Sequence, residues 1–102
     1  MLEVASERLH YWDVAASQTA AALGVGGGRA GDYISHILVV PETTGAGTIA
    51  LLDLATSRNV FVAGTLADLK PFVIPVGAYS GNGAWKITTG ANVHIMAFGR
   101  FS

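Results

Sequence analysis

Cysteine is absent from these 102 residues, which excludes disulfides and thiolate metal sites and leaves any redox compartment open. Charge is scarce: only 13% of residues are charged, against a usual share of about 25%. The six basic residues, Arg8, Arg29, Arg58, Lys70, Lys86 and Arg100, are spread along the chain, and the net charge is −1. Nothing gathers into the basic stripe that follows a phosphate backbone, so no nucleic-acid partner is expected. Long apolar runs are also missing. The richest, Ile37 to Pro41 and Ile49 to Leu52, stop at Pro41 and Asp53, far short of the roughly 20 residues of a spanning helix. Glu3 and Glu7 stand where a signal peptide would carry positive charge, so neither a membrane partner nor secretion is expected.

What is present is apolar. The hydrophobic share is 51% and the mean hydropathy is +0.46. A chain of this size buries only about 60–65% of the surface its unfolded form exposes. Some apolar surface is therefore expected to face another protein chain, in an obligate oligomer or a larger assembly.

The pattern along the chain is one of short strands. After an expected arm over residues 1–7, Arg8 to Val14 alternates as a strand does. Ala15 to Leu23 is alanine-rich but too short for an independent helix, so extended or irregular structure is expected, with room for one helical turn. Gly24 to Gly31 reads as a corner between sheets. It contains G-x-G-x-x-G at Gly26, Gly28 and Gly31, but a strand follows where a dinucleotide site needs a helix. Asp32 to Val40 is apolar in both alternating sets, Tyr33, Ile37 and Val39 against Ile34, Leu38 and Val40, as in a strand covered on both faces. Pro41, which has no N–H for a ladder, ends it.

Thr48 to Leu54 is the next strand, then a turn over Ala55 to Asn59, a short strand Asn59 to Ala63, and a connector Gly64 to Lys70. From Pro71 to Ser102 the spacing predicts a meander of three strands. Phe72 to Val76, Trp85 to Thr88 and Val93 to Phe98 are separated by Ser80-Gly81-Asn82-Gly83 and Thr89-Gly90-Ala91-Asn92. The expected fold is all-β: one domain over residues 1–102, a β-sandwich or jelly roll of seven or eight short antiparallel strands. Phe101, an aromatic beside the last residue of the sequence, predicts that this end is pinned in its own sheet or against a neighbour.

No catalytic constellation accompanies these strands. His10, His36 and His94 share no metal-ligand spacing, the seven carboxylates are scattered, and no serine has a nucleophile-elbow context. No enzyme activity, metal or cofactor is expected. Trp12, Trp85, Tyr11, Tyr33 and Tyr79 are the residue types of a sugar-stacking platform, although such aromatics more often anchor interfaces.

One resemblance is specific. Gly31-Asp32-Tyr33, Pro41, Pro71-Phe72, Gly83-Ala84-Trp85-Lys86, Thr88 to Asn92 and Gly99-Arg100-Phe101 resemble the pattern of a family of small tailed-phage structural proteins. The likeness covers roughly residues 24–102 and departs at Leu54, where the family has glycine after the aspartate. It implies a virion component without catalytic residues. Its leading form is a head decoration (cement) protein that assembles as a homotrimer on the capsid surface and clamps the major capsid protein. The alternative is a receptor- or glycan-binding knob of a fibre or tail tip. The contact residues expected on either reading are Tyr11, Trp12, Tyr33, Phe72, Tyr79, Trp85 and Phe101, with Arg100 as a polar anchor.

Overall fold

A computed structural model describes residues 10–64 and 69–102. The expected arm, Arg8 and Leu9 of the first expected strand, and the middle of the connector after Gly64 lie outside the described residues. Eight strands follow in order: β1 (His10–Val14), β2 (Ala21–Ala22), β3 (Tyr33–Pro41), β4 (Ile49–Asp53), β5 (Thr56–Phe61), β6 (Phe72–Tyr79), β7 (Trp85–Thr89) and β8 (Val93–Arg100). They form two four-stranded antiparallel sheets. Sheet A runs β1-β8-β3-β6 and sheet B runs β2-β7-β4-β5.

The pairing has a simple rule. β1 pairs with β8, β2 with β7, β3 with β6 and β4 with β5. That is a long hairpin rolled over on itself, the eight-stranded jelly roll. Every connection except the β4–β5 hairpin crosses from one sheet to the other. The expected meander is therefore corrected. β6, β7 and β8 occupy the predicted positions, but β7 lies in sheet B between two strands of sheet A, and its glycine turns are crossovers. The inward residues of β7 and β8, Trp85 and Ile87 against Val93 and Ile95, belong to facing layers of one core.

That core is made by strict alternation. Ile34, Ile37, Val39, Val93, Ile95 and Ala97 from sheet A meet Ile49, Leu51, Trp85 and Ile87 from sheet B. One device breaks the simple period. The β3 register shifts between Ile34 and His36, leaving Ser35 as an extra residue. Ile34 thereby joins Ile37 and Val39 inside, where plain alternation would have put it outside with Leu38 and Val40. The bulge needs Gly99 opposite it on β8. A Cβ there would overlap the Tyr33 carbonyl oxygen and press on the Ile34 Cα.

The β4–β5 hairpin is tighter than the sequence predicts. Asp53 faces Thr56, so the turn is Leu54-Ala55, and the residues expected in the turn, Thr56 to Asn59, are strand. Leu54 adopts the left-handed conformation, φ 59°, which glycine or asparagine usually supplies. Its N–H donates to the Ala84 carbonyl and its side chain lies on Gly83, which hold it there. Beside it, the Asp53 carboxylate accepts from the N–H groups of Gly81, Asn82 and Gly83 at 2.9, 3.0 and 3.3 Å, tying the β6–β7 crossover to sheet B. These amides hold its carboxyl below the usual 3.8; Gly81 contributes most, then Asn82, with Gly83 adding to them against a small desolvation.

Two outcomes follow. Gly99→Ala should destabilise the domain by about 1–3 kcal/mol in urea unfolding, because backbone rather than a movable side chain fills the space. A loss within error would show that β8 and β3 are not this close. For Asp53 the folded chain holds the proton less tightly than the unfolded chain, so its contribution is present above pH 3.8 and fades as pH falls below it. Asp53→Asn should melt below the parent at neutral pH, and the gap should close in strong acid. A gap independent of pH would contradict the assignment.

Candidate functional site

The two outer faces of the sandwich differ in chemistry. On sheet B the outward rows set Lys86 beside Leu52 and Ser57, and Thr88 beside Ala50 and Asn59. Apart from Leu52, these are small or polar. On sheet A the outward rows are mainly apolar and aromatic. One row runs Tyr11, Phe98, His36, Pro75; the next runs Asp13, Met96, Leu38, Val73; a third holds Arg100, Tyr33 and Tyr79.

The rings of this face touch one another. Phe98 stacks on His36 with centroids 4.6 Å apart and planes 12° from parallel, and Tyr11 sits 6.5 Å from Phe98. Tyr33 and Tyr79 are 4.9 Å apart, and the Arg100 guanidinium lies 5.7 Å from the Tyr33 ring centre. Tyr11, Val73 and Tyr79 are each more than half exposed, although the core lies directly behind them. His36 Nδ1 pairs with the neighbouring Ser35 hydroxyl at 3.0 Å. At the far end of the face His94 pairs with Glu42 at 2.9 Å. Cross-strand contacts of this kind hold the rings in fixed places, so the surface is rigid before any partner arrives.

The eight residues expected at contacts divide. Tyr11, Tyr33, Tyr79 and Arg100 come together on the outer face of sheet A. The other four lie elsewhere. Trp85 is only 7% exposed, and its indole N–H donates to the Asp32 carbonyl at 2.9 Å, so it belongs to the core and offers no sugar platform. Trp12 and Phe72 fall on the inward sets of β1 and β6 and pack against the core, Phe72 with its ring 5.7 Å from Phe61. Phe101 also packs against the core. Phe98, His36, Met96, Leu38 and Val73 are members of the face that the sequence reading did not single out. For Met96 and Phe98 the signal lies in β8, where they alternate with Ile95 and Ala97, so both sets are apolar.

The second feature is the corner where β3 begins. The Asp32 carboxylate accepts from the Arg29 N–H at 3.0 Å, the Ser102 N–H at 2.9 Å and the Ser102 hydroxyl at 2.7 Å. The main-chain oxygen of Ser102 accepts from Gly26 and Gly28 at 3.1 and 2.9 Å. The expected pinning of Phe101 and Ser102 is thus within the chain's own sandwich, and two glycines of the formal G-x-G-x-x-G cradle the chain itself. An open cavity of about 430 Å³ lies beside this corner, lined by His10, Gly31, Asp32, Arg100, Phe101 and Ser102. Its buried carboxylate is already engaged with backbone and serine, which is a structural use. Among the described residues no three of His, Asp and Glu gather as metal ligands would. No protein-family model, no curated protein and no solved structure matches this chain.

Proposed function

We propose that the chain is a non-enzymatic assembly subunit of a virus particle, a capsid decoration protein that docks on the head shell through the outer face of sheet A. The observation that carries this reading is the face itself: three aligned rows of mainly apolar and aromatic side chains, pre-packed, with Tyr11, Val73 and Tyr79 more than half exposed. The resemblance to tailed-phage structural proteins supplies the particle. The jelly roll is compatible with it, since viral capsid domains use this fold, as do lectins and other proteins, and fold alone does not decide between them.

The mechanism is burial. A face of this kind gains free energy at about 25 cal/mol per Å² of apolar area removed from water. Docking onto assembled shell but not onto free subunits stabilises the assembled state by mass action. The glycan-binding alternative has lost Trp85 as its platform, and Tyr33 with Tyr79 is the aromatic pair left to carry it.

The test is made in the virus whose genome carries the chain. Particles lacking it should release DNA at a lower temperature than complete particles, and adding the purified chain should restore them. Leu38→Glu, which places a charge in the middle of the face, should still fold, as circular dichroism would check, and weaken docking by about 2–4 kcal/mol. Heat resistance that does not depend on the chain would overturn the cement role.

A further inference from the structure

We infer that Asn82 is a site of self-modification, where the side-chain amide is lost and the residue becomes aspartate or isoaspartate, and that Asp53 governs when this can happen. Asn82 and Gly83 lie in the β6–β7 crossover, and Asn82 is exposed. Among the described residues no hydrogen bond holds its side-chain amide, while its main-chain N–H is held by Asp53. The next residue has no side chain to crowd its nitrogen. The packing keeps it so, because a Cβ at Gly83 would lie 2.8, 3.0 and 3.1 Å from three atoms of the Leu54 side chain. The inference concerns the crossover and is independent of the docking face.

The reaction needs only water. The Gly83 main-chain nitrogen gives its proton to solvent and attacks the side-chain carbonyl carbon of Asn82. The new N–Cγ bond forms, the Cγ–Nδ2 bond breaks, and the amide nitrogen takes a proton back from solvent and leaves as ammonia. Water then opens the five-membered ring. Breaking the ring bond to Cγ gives aspartate. Breaking the ring bond to the main-chain carbonyl carbon gives isoaspartate, whose chain runs on through Cβ and Cγ. One water is consumed and one ammonia released, with no change of oxidation state.

Geometry withholds the first step. The Asn82 and Gly83 N–H groups donate to the same Asp53 oxygen, Oδ1, at 3.0 and 3.3 Å, and the Gly81 N–H donates to Oδ2 at 2.9 Å. Successive N–H groups that converge on one anion form a nest. With both N–H groups aimed one way, the Gly83 nitrogen lies on the Asn82 nitrogen's side of the Cα–C bond. The Asn82 Cβ is a third of a turn away about that bond, so closing the ring requires a rotation that breaks the convergence. The carboxylate opposes the step a second time, because a negative charge beside the Gly83 nitrogen disfavours loss of its proton. Modification therefore proceeds from the opened crossover. The product adds a second carboxylate beside Asp53, and isoaspartate also lengthens the main chain there. Either change weakens the tie between the crossover and sheet B.

The experiment follows residue 82 by peptide mass spectrometry while the purified full chain stands in mildly alkaline buffer. The folded parent should convert about tenfold or more slowly than the same chain in urea, since only the opened fraction reacts. Asp53→Ala, still folded by circular dichroism, should convert at close to the rate in urea. Gly99→Ala, which strains β3 against β8 and leaves the clamp intact, should convert at the parental rate. A folded parent that converts as fast as the chain in urea would overturn the inference. So would an Asp53→Ala rate equal to the parent's, or a Gly99→Ala rate equal to that of Asp53→Ala. Amide hydrogen exchange on the parent keeps the test standing if Asp53→Ala does not fold. The Gly83 amide should open more readily than that of Ile87 in the core, and equal protection of the two would mean that conversion waits for global unfolding, against the inference.

Discussion

Asp32 is the point on which the sandwich closes. Its carbonyl accepts from the Trp85 indole and from the Ser80 N–H, joining the start of β3 to the beginning of β7 and the end of β6. Its carboxylate accepts from Arg29 and twice from Ser102. Glycine-loop corner, central strand of one sheet, tryptophan of the other and the chain's last residues all meet one buried side chain. A buried carboxylate survives only when such donors replace water. Removing any one leaves the others under-satisfied, so the corner behaves as a unit rather than as separate bonds.

That closure has a consequence for the surface. A jelly roll uses one face of each sheet for its core and leaves two faces outside. In sheet B the outer face is mostly small and polar, with Leu52 the exception among the paired rows. In sheet A it is aromatic and nearly free of charge. Tyr11, Phe98 and His36 are already in contact, so little side-chain freedom remains to be lost when the face is covered. The proposed assembly role rests on the difference between the two faces rather than on the fold.

One edge of each sheet carries its own protection. Pro75 and Gly77, which has φ 64°, interrupt β6 at the sheet edge. β5 presents Arg58 and a register shift beside Val60, which blunts the opposite edge of sheet B. Lateral strand addition is thereby disfavoured, and the free apolar surface is left on a face.

Much of the fold was legible from local chemistry. The positions of β3, β6, β7 and β8, the stop at Pro41 and the turns at Gly81 to Gly83 and Gly90 to Asn92 depend on side-chain period and on backbone freedom within a few residues. So does a minority of the candidate face: Tyr11, Tyr33, Tyr79 and Arg100. The rest depended on partners far away in sequence. Which sheet each strand joins is decided by pairs such as β1 with β8, more than 80 residues apart, about which a local period says nothing. Ser35 shifts the register by one residue and moves Ile34 to the inside, a change that alternation alone reads backwards. Trp85 and Phe72 have the same residue character as Tyr79 and face the other way, because the packing of two sheets, not aromaticity, assigns a side chain to core or surface. The sequence by itself determined that strands would form and where most of them would lie, because period and turn chemistry are local; only the tertiary structure decided which of their faces would turn outward, because that depends on partners far away in the chain.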